Sequence, residues 1–212
     1  MGKAKNGPHG FHTGRIGDLV YYVLNGENVV RRIGENLNPP TEKQLRARLE
    51  VKKASRFLGK LSAFINVGFG TEPMGAGGNP HNVAMKYNVK NIIKGTYPNL
   101  EIAYDKVLVS RGFLKPVENF VAELTADSIK FSWDTNPQMK WPESTDQVMM
   151  LAYFPESEKM IYKLFGNSRL SGSDELQIPA AFIGKYMETY ISFISEDRKN
   201  VADGTYTGSF NA

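Results

Sequence analysis

Cysteine is absent from this 212-residue chain, which removes disulfide frameworks, thiol nucleophiles and cysteine-held metals together. Histidine is nearly as scarce, with only His9, His12 and His81 present. No apolar run approaches the roughly 20 residues that a membrane-spanning helix needs. The basic start, residues 1–6, has no apolar stretch behind it, so neither a secretory leader nor an anchor is expected and the default address is cytoplasmic. Hydrophobic residues at 41% and charged residues at 23% match folded domains and exclude a wholly disordered or fibrous chain.

Charge is present but unevenly spread. The net charge of +4 combines residues 1–100, with 15 basic and 6 acidic side chains, and residues 101–212, with 11 and 16. The first part is therefore attractive to anionic partners, or it faces an acidic surface of the same or a neighbouring subunit.

Residues 1–17 carry five glycines and few apolar side chains, and read as a flexible arm. Next, Asp18–Leu24 and Glu27–Arg32 flank Asn25-Gly26, a pair suited to the positive φ values of a two-residue hairpin turn. That turn sets Tyr22 opposite Val29 and Tyr21 opposite Val30. Thr41-Glu42-Lys43-Gln44 reads as a capping box opening a long helix over 42–66. At 100° per residue, Ala47, Val51, Ala54, Phe57, Leu58, Leu61, Phe64 and Ile65 share one side, while Leu45 and Leu49 fall on the basic side. A glycine-rich loop over 68–79 follows, and Asn79-Pro80 fits an N-cap and first residue of a second helix running to about Lys94. Beyond residue 100, short alternating segments separated by turn residues point to strands near 101–110, 117–124, 128–134, 146–154, 160–165, 187–195 and 200–210.

The expectation is an α+β chain: an arm over 1–17, a β-hairpin with two helices over 18–100, and an antiparallel β-sandwich over 101–212. Ser128–Asp134, with its alternating apolar residues ending in Trp133, resembles the second strand of a fibronectin type III domain. Ile178-Pro179, Tyr186 and Thr189–Phe193 resemble the loop and sixth strand of that immunoglobulin-like sandwich, where a tyrosine anchors a corner. Over nearly the full length, a further set of pieces is similar to an uncharacterised family of Bacteroidota of unknown function. These are Gly14–Gly17, Val29–Arg32, Thr41–Arg48, Asn82–Asn88 and Val107–Gly112. That resemblance implies the two-part architecture and no activity.

Groups for chemistry are few. His9 and His12 stand three apart but in a glycine-rich arm with no third ligand, so no metal site is expected. Gly75–Pro80 opens a helix yet lacks the Lys-Ser/Thr of a phosphate loop and follows a helix rather than a strand, so no nucleotide cofactor is expected. The carboxylate pairs Asp174-Glu175 and Glu196-Asp197 are sequence neighbours on expected turns. Ser110, Ser132 and Ser192 have no histidine in their own half and would need His81. No enzyme is expected.

The most informative feature is a cationic stripe. Arg46, Lys53, Arg56 and Lys60 lie along one side of the 42–66 helix, with Arg31 and Arg32 on the hairpin, as candidate contacts for an anion or a partner. The leading expectation is a non-enzymatic structural or protein-interaction protein acting by surface recognition, or by self-association through the hairpin edge. Nucleic-acid binding through the basic helix is the alternative.

Overall fold

A computed structural model describes residues 2–4, 10–35, 38–71 and 78–212. His9 and half of the expected glycine-rich loop lie outside the described residues. The chain divides into two compact units, Met1–Thr41 and Glu42–Ala212, whereas the expected borders fell after residues 17 and 100.

The first unit is a four-stranded antiparallel meander: β1 (Lys3–Ala4), β2 (His12–Ile16), β3 (Leu19–Leu24) and β4 (Glu27–Arg32), hydrogen-bonded in that order. Asn25 and Gly26 take φ values of 52° and 87°, and Tyr22 faces Val29 while Tyr21 faces Val30, as the turn chemistry dictates. Part of the expected flexible arm is a strand instead. Gly14, at φ 101°, keeps β2 in register opposite Tyr21, a backbone conformation that a residue with a Cβ rarely adopts.

The second unit opens with α1 (Glu42–Lys60) and α2 (Ser62–Gly68). The single helix expected over 42–66 breaks at Leu61, whose N–H bonds the carbonyl of Leu58, three residues back, rather than four. Ala54, Phe57, Leu58, Leu61, Phe64 and Ile65 are buried as expected. Ala47 and Val51 are exposed, because the first turns of α1 extend past the core. Leu45 and Leu49 instead border a shallow cavity with Tyr97 and Pro98.

α3 (Pro80–Asn88) begins as expected, with the Asn79 side chain accepting from the Asn82 N–H at 2.8 Å and Pro80 in the first turn. It stops at Asn88, six residues short of Lys94. The buried Asn88 amide donates to the carbonyls of Ala84 and Leu108 and accepts from the Leu108 N–H, all at 2.9 Å. This staples the helix end to a neighbouring segment. Lys94 and Gly95 belong to a hairpin of β5 (Ile93–Thr96) and β6 (Asn99–Ile102). Among the described residues there are thus three α-helices rather than two.

Two antiparallel sheets follow. One has the order β11 (Ser173–Gln177), β8 (Ser128–Ser132), β7 (Val121–Leu124); the other has β10 (Lys159–Lys163), β9 (Gln147–Phe154), β12 (Met187–Ile194), β13 (Thr205–Phe210). The strand expected over 101–110 ends at Ile102 and gives way to a single 3₁₀ turn at Tyr104–Lys106. β11 lies between the strands expected near 160–165 and 187–195, where no strand was expected.

β9 and β12 are buried on both faces apart from Gln147. Met149, Leu151, Tyr153, Tyr190 and Ile194 join the helical residues in one core cluster. Val148, Met150, Ala152, Phe154, Ile191 and Phe193 join Ile129, Phe131, Trp133 and Leu176 of the other sheet in a second. The period of two along each strand thus separates two cores. Among the described residues no helix is long and apolar enough to cross a membrane.

Candidate functional site

The strongest candidate site is a cavity of about 570 Å³ where the loops before β9 and after β12 meet the segment ahead of β7. Phe113 enters it because its neighbours are fixed. Leu114 N–H bonds the Val201 carbonyl at 3.0 Å and Gly112 N–H bonds the Asp203 carboxylate at 3.0 Å. A Cβ on Gly112 would stand 2.1 Å from the Val201 carbonyl oxygen, so only glycine fits there. The ring of Phe113 is left 88% exposed, and Trp141 on the facing loop 77% exposed. Pro142, joined to Trp141 by a cis peptide bond, accepts from Thr145 N–H at 3.0 Å and Thr145 Oγ1 at 2.9 Å, which closes the 3₁₀ turn Glu143–Thr145.

Beneath this turn lies an ion pair. Arg169 Nε stands 3.4 Å from Asp146 Oδ2, with side-chain exposures of 5% and 3%. The guanidinium also donates to the carbonyl of Lys115 at 2.7 Å and lies 3.8 Å over the ring of Phe193. Trp133 Nε1 donates to the Arg169 carbonyl at 2.7 Å and packs edge-on against Phe193. Burial pushes the Asp146 carboxyl up to about 6, against the opposing pull of Arg169, and lowers Arg169. Glu143, Asp146, Glu196 and Asp197 give the cavity wall a negative balance over Lys115, which pairs with Glu118 at 3.0 Å. A hydrogen bond from Ser195 is the main cause that holds Asp197 below the usual carboxylate range.

The cationic residues expected at the site are elsewhere and largely engaged. Arg56 and Lys60 converge on Glu158, at 2.8 and 3.2 Å, and these two cations lower its carboxyl. Lys53 donates to the Leu100 carbonyl, and Arg46 pairs with Glu50 one turn along α1 at 2.8 Å. Lys53, Arg56 and Lys60 do share a groove with Tyr104, Tyr153 and Glu158. Beside it, the buried Glu188 accepts from Tyr186 and from Tyr206, the latter at 2.6 Å. Arg31 and Arg32 lie on β4 in the first unit.

Two of the expected serines, Ser110 and Ser192, serve packing. Ser110 Oγ donates to Ser192 Oγ at 2.8 Å, and both are within 3.0 Å of the Ala202 carbonyl. His81 Nε2 lies 3.3 Å from Ser55 Oγ, and no carboxylate among the described residues hydrogen-bonds its ring. Asp174 is buried on β11, where it pairs with Lys163 at 2.9 Å and accepts from Asn167 N–H at 2.8 Å. Among the described residues no three His, Asp or Glu side chains stand together as a metal site would require.

A family model matches residues 11–208, which takes in β2 of the first unit and both sheets of the second. The chain belongs to DUF6266, a family of unknown function. No curated protein matches this DUF6266 chain. The matched residues include the loops that carry Phe113, Trp141, Asp146 and Arg169. Sequence reasoning missed these four, because they lie in loops far apart along the chain with no local spacing to connect them.

Proposed function

We propose that this DUF6266 chain is a non-enzymatic interaction protein that works by surface recognition through the loop-end cavity. The observation that carries the reading is the pair of aromatic rings, Phe113 and Trp141, left in water on the rim of a negatively balanced cavity. Covering a large aromatic ring removes about 150–250 Å² from water, worth several kcal/mol at roughly 25 cal/mol per Å². The ligand chemistry that suits both rings and carboxylates is a cation on an apolar stem, such as a partner's arginine or lysine side chain.

The scaffold under this reading is a sandwich of the fibronectin type III kind. It is supported by the two strand orders, by the core cluster between the sheets, and by Trp133 packing on Phe193. Fold likeness by itself carries no function. Nucleic-acid binding through α1 has less support, since Arg46, Lys53, Arg56 and Lys60 all have partners within the chain.

The test is calorimetric titration of a tetra-arginine peptide at low salt against wild type, Phe113→Ala and Trp141→Ala, with a duplex oligonucleotide in parallel. Binding that weakens about tenfold in either variant, the loss of roughly 1.4 kcal/mol, supports the reading. Absence of peptide binding by the wild type, or binding untouched by both substitutions, overturns it. Oligonucleotide binding abolished by reversing Lys53, Arg56 and Lys60 to Glu favours the alternative.

A further inference from the structure

The first unit has no core of its own among its described residues. From residue 10 to 35 none is buried, and Leu24, Val30 and Ile16 are 53%, 50% and 47% exposed. Its two edges differ. β1 offers two residues, whereas β4 offers six and pairs with no strand on its outer side among the described residues. An unpaired edge of that length is a template for another strand.

The direction of the backbone groups is fixed. Ile33 N–H donates inward to Asp18 at 2.8 Å, and alternation then turns the N–H and C=O of Asn28, Val30 and Arg32 outward. If β4 meets β4 of a second copy about a two-fold axis normal to the sheet, facing residues share a side of the sheet, so their numbers differ by an even count. Of these registers, the one centred on Val29 sets Glu27 of each copy opposite Arg31 of the other. It also sets Val29 against its own counterpart and bonds Asn28 to Val30 across the seam. Glu27 and Arg31 then occupy non-hydrogen-bonded positions, where opposed Cα atoms approach to about 4.5 Å. Centring on Arg31 would instead oppose that arginine to itself, so charge selects the register.

We infer that the occupant of this edge is a second copy of the chain, joined β4 to β4 in this self-complementary register into one continuous sheet. The inference goes beyond the loop-end reading and stands or falls separately.

The experiment is sedimentation equilibrium on the full chain. The wild type is expected to dimerise reversibly. Glu27→Arg, which opposes like charges twice per interface, should raise the dissociation constant about tenfold or more. The exchanged double variant, Glu27→Arg with Arg31→Glu, should restore it. Val30→Pro removes only an outward donor and should also abolish dimers. A wild type that stays monomeric at millimolar concentration overturns the inference. So does a dimer indifferent to Glu27→Arg and Val30→Pro in chains shown folded by circular dichroism, or a double variant that is not restored. Peptide binding by a monomer would leave the loop-end reading intact, and a dimer that binds no peptide would leave only the edge pairing.

Discussion

Replacing Asp146 with Asn tests the buried ion pair directly. The substitution preserves shape and removes the charge, so the Arg169 guanidinium, 5% exposed at the side chain, keeps two carbonyls and the Phe193 face but loses its counter-charge. Removing the Arg169 side instead leaves a buried carboxylate uncompensated, which costs about 3–5 kcal/mol, or roughly 6–20 °C in Tm for a unit of this size. The dependence on pH is equally diagnostic. Burial pushes the folded Asp146 carboxyl up to about 6 from the ordinary 3.8 of an aspartate, so between these values the folded state holds more of this proton than the unfolded state. This group's contribution therefore makes stability fall as pH rises through that window, by up to about 1.4 kcal/mol per pH unit, and level off above it. Asp146→Asn should erase that limb. Arg169→Met should cost most above pH 7, where a lone carboxylate stays buried, and less at pH 5, where it is protonated. Thermal melts of the three proteins between pH 4 and 8 read all of this. An Asp146→Asn protein whose pH profile matches wild type, or an Arg169→Met protein that melts within 2 °C of wild type at pH 8, would refute the reasoning.

Two further outcomes follow from close packing. Gly112→Ala places a methyl against the Val201 carbonyl oxygen. It should lower stability by about 2 kcal/mol or more and disturb Phe113, measured by urea unfolding and by the ring's NMR shifts. Beside the groove of Lys53, Arg56 and Lys60, burial and then the Glu188 hydrogen bond push the Tyr206 phenol up to about 12. Ultraviolet titration should therefore show its tyrosinate forming after that of exposed tyrosines, and Glu188→Gln should bring it down.

How legible the molecule was depended on where each signal lay. The Asn25-Gly26 hairpin and the Asn79-Pro80 helix start are local chemistry, and both were readable from a few residues. β11 was not, because its inward positions are Asp174 and Leu176. A carboxylate neutralised by Lys163 from another strand replaces an apolar residue there and hides the period of two. The end of α3 was hidden in a similar way, since Asn88 stops the helix by bonding Leu108, twenty residues on. The cationic stripe was readable as a period of 3.6, but its partner Glu158 sits on a distant β-turn. The loop-end cavity was the least readable, since it is assembled wholly from residues that meet only after folding.

The central sheet has a consequence for anyone trimming the chain. Cutting near residue 100 would strip the helices from Met149, Leu151, Tyr153, Tyr190 and Ile194 and leave a wet, greasy wall where a roof had been. A fragment of that kind would clump rather than stay dispersed. The strands of the C-terminal half are therefore no detachable bead: they and the three helices make sense only as one piece.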